Sequence, residues 1–324
     1  MNKKQRKVLD KSIEFAKRIG LAPANEMTPT QLAKEAKAIS GVKTTVLTEK
    51  DMSKLGMGLL LGVSQGSDED AKFIVCEYNG TDPKEAPTVL VGKGLTFDAG
   101  GYSIKPAANL HQMKFDMLGG GAVLAAIQAA AEMELPLNIV SIVPASENLV
   151  NGQATKPSDV HTSMSGLTVE IRNTDAEGRL ILADALTYAQ DTYPDASAIV
   201  SVATLTGAQL YATGTTHSAM LGTDDDLVQE LSIAGDDTDD LVWRLPFVEA
   251  HSEEMKGQEG VSDLKNIETN RGPSTITAFA FLEAFVDEDV PFAHLDVAST
   301  ASKGDEVTGR PVPLLVQFLI NRAI

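Results

Sequence analysis

Leu167-Thr168-Val169-Glu170-Ile171-Arg172-Asn173-Thr174-Asp175-Ala176-Glu177-Gly178-Arg179-Leu180-Ile181-Leu182-Ala183 passes from a strand pattern to a helix pattern across one charged turn. Leu167–Arg172 alternates apolar and polar side chains, and Leu180, Ile181, Leu182, Ala183 and Leu186 open a helical run. Between them stand Asp175, Glu177 and Arg179 at alternate positions. In an extended backbone such positions point to one side, so the three side chains are expected to converge. Two adjacent carboxylates repel unless a cation or a proton sits between them, and a metal ion is the economical solution.

The strand-to-helix switch recurs along the chain. Thr44–Leu47, Phe73–Glu77, Thr88–Val91, Asn138–Val143, Ile199–Val202 and Ala293–Val297 read as strands, rich in β-branched residues and bounded by turn signals. Helices are expected over residues 8–19, from a Thr28-Pro29-Thr30-Gln31 start to Gly41, over Gly119–Met133, from about Ser274 to Val286, and from about Val312 to Arg322. At the second of these, Thr28 can cap and Gln31 can complete a capping box. The alternation predicts an α/β fold whose sheet is covered on both faces.

Composition narrows the partners. With 324 residues, 43% of them hydrophobic, the chain can build one large domain or two smaller ones. A net charge of −18 argues against nucleic-acid phosphate and anionic membrane as partners, both of which call for a basic face. Cys76 is the single cysteine, which excludes an intrachain disulfide and suits a reducing, cytoplasmic setting. The basic start is interrupted by Asp10, Lys11 and Glu14 where a secretion signal needs an apolar stretch. No apolar run approaches the roughly 20 residues of a membrane span. Asp224-Asp225-Asp226 and Asp236-Asp237-Thr238-Asp239-Asp240 lack calcium-loop spacing and are expected to be solvated loops.

Three further residues groups share the chemistry of the charged turn. Val91-Gly92-Lys93-Gly94-Leu95-Thr96-Phe97-Asp98-Ala99-Gly100-Gly101 sets Lys93 and Asp98 in what reads as a glycine-rich turn after a buried strand. Lys105 follows closely, and Met113-Lys114-Phe115-Asp116-Met117 offers one more acid before a run of glycines. Strand ends of α/β sheets are where ligand sites collect. Four acids and two lysines there could enclose a pair of divalent ions such as Mg²⁺, Mn²⁺ or Zn²⁺. A Lys ligates only when neutral, and a second, charged Lys suits oxyanion stabilisation.

Each part has a plainer reading. Asp116 alone suits a helix N-cap, Lys93 a solvated loop, and Gly119-Gly120-Gly121 close helix packing. Arg179 alone suggests a clamp for a substrate carboxylate. His111, His161, His217, His251 and His294 lack His-Glu-x-x-His spacing, and Ser103 and Ser165 lack the nucleophile elbow. Spacing leaves the reaction open between peptide hydrolysis and two-metal phosphoester hydrolysis.

Asn173–Leu180 and Val91–Gly101 resemble the signature blocks of the leucyl aminopeptidase (cytosol aminopeptidase, M17) family. Pro23–Pro29, Ala203–Ala208, His294–Ala298 and Thr308–Pro311 are similar to further blocks in the same order. The resemblance implies a mixed, largely parallel central sheet with helices on both faces. It implies a metal-dependent exopeptidase that releases leucine or another apolar residue from a free peptide N-terminus, by attack of a metal-bridging water. By the same resemblance, Lys93, Asp98, Asp116 and Glu177 hold a tighter metal, and Asp98, Asp175 and Glu177 a more exchangeable one. The ions are Zn²⁺, Mn²⁺ or Mg²⁺. Lys105 polarises the scissile carbonyl, and Arg179 holds a bicarbonate that serves as general base. Met113, Thr204, Leu205 and Gly207 line the pocket for the first side chain. A homohexamer is implied as well.

Two departures accompany the resemblance. The family's separate N-terminal α/β domain is expected to be absent, residues 1–41 resembling its linking helix and 42–324 the catalytic domain. Asn270–Thr275 matches the family pattern loosely. A catalytically silent scaffold of the same fold would be expected to lose one of Lys105, Arg179 or the acids, and all are kept. Lys93 as a ligand argues against the phosphoesterase alternative.

Overall fold

The computed structural model describes residues 1–270 and 272–323, so Arg271 of the loosely matching segment lies outside the described residues. The chain opens on helices α1 (Lys3–Leu21) and α2 (Pro29–Lys37), then β1 (Lys43–Leu47), α3 (Glu49–Leu55), α4 (Gly58–Ser64) and β2 (Lys72–Asn79). Strands β3 (Thr88–Gly92) and β4 (Gly94–Asp98) lead through a 3-10 helix, Leu110–Phe115, to α5 (Leu118–Met133) and the long β5 (Asn138–Asn148). Short β6 (Val160–Thr162) and β7 (Thr168–Glu170) precede α6 (Gly178–Thr192), β8 (Ala198–Ala203), α7 (Gln209–Thr213), β9 (Ser218–Gly222) and α8 (Asp225–Thr238). Next come β10 (Val242–Arg244), α9 (Glu249–Glu253), β11 (Leu264–Lys265), α10 (Ser274–Glu283) and β12 (Phe292–Asp296). The hairpin β13 (Ser302–Lys303) and β14 (Glu306–Val307) and helix α11 (Val312–Arg322) complete the described chain.

The main sheet runs β1-β2-β5-β3-β8-β12-β9-β10, with β4 added onto β5. Pairings from β5 through β3 and β8 to β12 are parallel, as are β4 on β5 and β10 on β9. Antiparallel pairs sit at β1–β2, β2–β5 and β12–β9. The sheet is therefore mixed and largely parallel. Its strands alternate between two cores, as a period of two requires. Phe73, Val75, Val89, Val91 and Ile199 pack on one face with α4, α6 and α10. Ile74, Leu90, Val200 and Val202 pack on the other with α1, α2, α5, α8 and α11.

Local chemistry sets the helix ends. The Asn2 side chain accepts from the Gln5 N–H and Gln5 reciprocates, so α1 begins at Lys3, ahead of the expected residue 8. Thr28 caps α2 by accepting from the Gln31 N–H, but the Gln31 amide turns to Glu35, so the expected capping box is half made. At α5, Gly120 lets the helix approach β3 closely. A Cβ there would stand 2.8 Å from Val143 Cγ1 and 3.0 Å from the Lys93 carbonyl, which accepts the Gly120 N–H at 2.7 Å.

Several expectations are corrected. Residues 94–98 form strand β4, held to β5 by a parallel ladder with one register shift, and not a glycine-rich turn. Thr168–Glu170 belongs to a separate three-stranded sheet, β11-β7-β6, outside the main one. The acid clusters frame a helix rather than forming loops. Asp224 caps α8 by accepting from the Leu227 N–H, Asp225 and Asp226 occupy its acid-favouring first turn, and Asp240 is buried against Arg310. Helices α3 and α4 and strands β9 and β10 went unread in the sequence.

Candidate metal centre

The carboxyl ends of β3, β4, β8 and β12 point to one end of the sheet, and the candidate site is built there. Lys93 follows β3 directly, fully buried, with Nζ 2.6 Å from Asp116 Oδ2, 2.9 Å from Glu177 Oε1 and 3.1 Å from the Thr204 carbonyl. Lys105 lies 2.8 Å from Asp98 Oδ2 and 2.5 Å from Asp175 Oδ1. Asp116 is not an N-cap. It ends the 3-10 helix, two residues before α5, and its Oδ1 accepts from the Thr204 hydroxyl at 2.7 Å.

The turn carrying Asp175 and Glu177 differs from the extended arrangement that alternate spacing suggested. Glu177 already has helical backbone angles (φ −79°, ψ −33°), and Arg179 belongs to the first turn of α6. Convergence of Asp175 and Glu177 comes from a tight turn clamped from outside. Asn266, fully buried, accepts from the N–H groups of Arg172 (2.8 Å) and Asn173 (3.2 Å). Its amide donates to the carbonyls of Asn173 (2.6 Å) and Ala176 (3.2 Å). Thr174 bonds the Gly100 carbonyl at 2.6 Å and accepts from the Ser103 N–H, tying this turn to the loop after β4.

The cleft, about 450 Å³, is lined by Lys93, Asp98, Lys105, Asp116, Asp175, Glu177 and Arg179, and also by Met113, Thr204, Leu205 and Gly207. Every candidate residue named from the sequence thus borders one cavity. Phe115 and Ala298 add apolar wall that the sequence reading did not include. Asn148 and Asn266 were missed too. Asn148 ends β5 five residues beyond the predicted strand, and nothing local marks Asn266.

Electrostatics show what the site can hold. Burial and the neighbouring carboxylates push the carboxyls of Glu177, Asp116 and Asp175 up, although Lys93 and Lys105 pull the other way. Burial opposes charge on Lys93, yet Asp116, Glu177 and Asp98 outweigh it and favour the ammonium form. Four acids face two lysines, so the cluster carries surplus negative charge once its carboxyls are ionised. Asp116 Oδ2 and Asp175 Oδ1 lie at ion-pair distance from a lysine but receive no well-directed hydrogen bond. One oxygen each of Asp98, Asp175 and Glu177 falls within 4.8 Å of the others. An all-oxygen donor set with surplus charge fits divalent cations, and Lys93 can join it only as a neutral amine.

Arg179 stands apart. It is 3% exposed, its Nε and Nη1 have no hydrogen-bond partner, and no carboxylate lies within 4.0 Å among the described residues. Burial lowers its pKa, while Glu268, Glu177 and Asp296 oppose that shift from a distance. These two buried donors border the cleft.

The chain is similar to known proteins over nearly its whole length. The family model described as the cytosol aminopeptidase family, catalytic domain, matches residues 14–316. A probable cytosol aminopeptidase of Acidithiobacillus ferrooxidans is 50% identical over 319 residues, 97% of this chain and 63% of that protein. One from Nitrosococcus oceani is 48% identical over 326 residues, 98% of this chain and 64% of that protein. The chain therefore spans just under two thirds of these curated relatives. Among solved structures, the bottromycin maturation enzyme BotP in complex with Mn matches with a TM-score of 0.91 and 33% identity. That match covers 98% of this chain and 71% of BotP.

Proposed function

The chain belongs to the cytosol aminopeptidase family, and from that premise we propose that it is a metal-dependent exopeptidase releasing N-terminal residues, leucine or other apolar ones preferred, from peptides. The observation that carries the proposal is the gathering of Lys93, Asp98, Asp116, Asp175 and Glu177 around one cleft, with surplus negative charge.

Lys93, Asp98, Asp116 and Glu177 would hold one divalent ion, and Asp98, Asp175 and Glu177 a second, as Zn²⁺ or Mn²⁺. When bound, such ions supply Lewis acidity toward a carbonyl, an anchor for a free α-amine and a lowered pKa for water. Lys105 keeps its ammonium, because Asp98, Glu177, Asp116 and Asp175 outweigh the burial that opposes it. Its side chain is 20% exposed at the cleft, where it can donate to a carbonyl oxygen as negative charge develops there. Arg179 would hold bicarbonate, which supplies a general base. Met113, Leu205, Gly207 and Thr204 form the wall for the first side chain, and Phe115 adds apolar surface to it. A cytoplasmic homohexamer is part of the same reading.

The test is turnover of leucine anilides and dipeptides by Mn²⁺- or Zn²⁺-loaded protein, with N-acetylated controls. Cleavage of free-amine substrates and none of the acetylated ones is expected. Silence of the metal-loaded protein across a broad panel of free-amine peptides would sink the proposal.

A further inference from the structure

Asn148 is buried where β5 ends, and the ladder pairs it with Asp98 at the end of β4. Its amide nitrogen lies 2.8 Å from Asp98 Oδ1, 3.0 Å from the Thr174 carbonyl and 3.5 Å from Glu177 Oε2. Its own main-chain carbonyl accepts the Ala99 N–H at 2.9 Å. One side chain therefore touches two of the carboxylates and the turn that bears the third.

Asp98 shows the effect most directly. Its Oδ1 accepts from the Asn148 amide and, at 2.8 Å, from the Gly100 N–H. Two donors on one oxygen fix the carboxylate plane and leave Oδ2 toward Lys105 and the cleft. The Thr174 contact spends the second amide hydrogen on the residue before Asp175. Gly101, at φ +64°, leaves room for this group. A Cβ there would stand 3.0 Å from Asn148 Oδ1 and 2.9 Å from Thr174 Oγ1.

The residue type matters as much as the place. A hydroxyl would bring one hydrogen for two acceptors. A lysine or arginine would bring a charge and cancel part of the field a divalent cation needs. A primary amide alone brings two directed hydrogens and no net charge.

We propose that Asn148 is a positioning residue of the metal centre, a neutral double donor that aims the Asp98 carboxylate and anchors the Asp175–Glu177 turn. The assignment rests on reading the cleft as a metal site. It does not give Asn148 any contact with metal or substrate.

The experiment is Mn²⁺ titration of the metal-stripped full chain, followed by electron paramagnetic resonance, for wild type, Asn148→Ala and Asn148→Leu. Leucine fills the space of the amide without its hydrogens, which separates loss of donors from creation of a cavity. Melting in EDTA reports the metal-free fold. Loss of an outer hydrogen-bond partner typically weakens metal binding about 10–100-fold, and that loss is expected in both variants. The Mn²⁺ spectrum should broaden, with both variants still folded in EDTA though melting somewhat lower than wild type. Variants that bind within twofold of wild type and keep its spectrum overturn the assignment alone. A wild type that takes up no Mn²⁺ overturns the metal-site reading and this inference together. Failure of both variants to fold without metal assigns Asn148 to folding and also overturns it.

Discussion

Gly178 offers a way to disturb the centre without replacing any candidate ligand. It is the first residue of α6 and directly follows Glu177. A Cβ there would stand 2.7 Å from both Cε and Nζ of Lys93 and 2.9 Å from Leu205 Cδ1. Ordinary contacts of this kind are about 3.5–4.0 Å, so the end of Lys93 must retreat by roughly 1 Å. That side chain is enclosed and held by Asp116 at 2.6 Å and Glu177 at 2.9 Å, so the retreat stretches one pair or the other. A misplacement of roughly 1 Å in a reacting constellation can cost about 100-fold in rate, and Gly178→Ala is expected to lose turnover on that scale. The metal-free fold should lose stability too, because the clash with the enclosed Lys93 side chain is already present without metal. Gly178 is the first helical residue, so the preference for alanine over glycine in a helix interior does not offset that cost. Anilide turnover, Mn²⁺ affinity and melting in EDTA should be measured on one preparation. Reduced turnover and affinity, with a lowered EDTA melting temperature but a retained fold, is the expected set. Wild-type turnover and affinity in Gly178→Ala would refute the claim that Lys93 is held in place by α6.

Metal uptake should strengthen as pH rises and should release protons, because Glu177, Asp116 and Asp175 are all pushed above the ordinary carboxylate range and Lys93 favours its ammonium form. Calorimetric titration in buffers of different ionisation enthalpy counts those protons, and a pH-independent, proton-neutral uptake would contradict the electrostatic account. Asp184→Ala should destabilise the fold by about 3 kcal/mol or more, since it strands the N–H groups of Leu59, Leu60 and Met164, each costing about 1–3 kcal/mol when buried unpaired. Burial pushes the Asp184 carboxyl up to about 7 against the pull of those three N–H groups, so the folded chain holds its proton more tightly than the unfolded one. Its contribution is thus fully present below the unfolded carboxylate range and declines as pH rises toward about 7. Urea titrations of both proteins should show a larger gap at pH 5 than at pH 8, and an equal gap at both would remove the shift from the argument.

The sheet was legible because its strands carry their own evidence. Val89, Val91 and Leu90 are apolar on successive positions, and a strand buried on both faces needs just that pattern. The acids and lysines of the cleft stood out because they cluster at strand ends, whereas Met113, Thr204, Leu205 and Gly207 entered only through the family resemblance. What escaped was whatever depended on partners far along the chain. Strand β4 holds Gly94 and polar Thr96 and Asp98, a poor strand in isolation, and forms because β5 runs on to Asn148 beside it. Helix α8 was hidden by its acids, though Leu227, Val228, Leu231 and Ala234 give it a buried stripe. Asn266 lies more than ninety residues from the turn it clamps, and no local pattern can announce such a contact.

The two lysines divide their work through burial and company. Lys93 has two ion-pair partners, Asp116 and Glu177, one hydrogen bond to the Thr204 carbonyl, and almost no solvent. As a neutral amine it would still have two hydrogens for those acceptors and a lone pair to spare. An arginine could not make that change, because its guanidinium does not lose a proton in proteins. Lys105 is partly exposed and faces Asp98 and Asp175 alone, with the cleft on its open side. A cation that displaced it from those carboxylates would leave its ammonium charged and turn it toward whatever occupies the cleft. On the proposed reading the same residue type would serve as ligand in one place and as charged donor in the other, and the two differ in burial, Lys93 being enclosed and Lys105 partly exposed to the cleft.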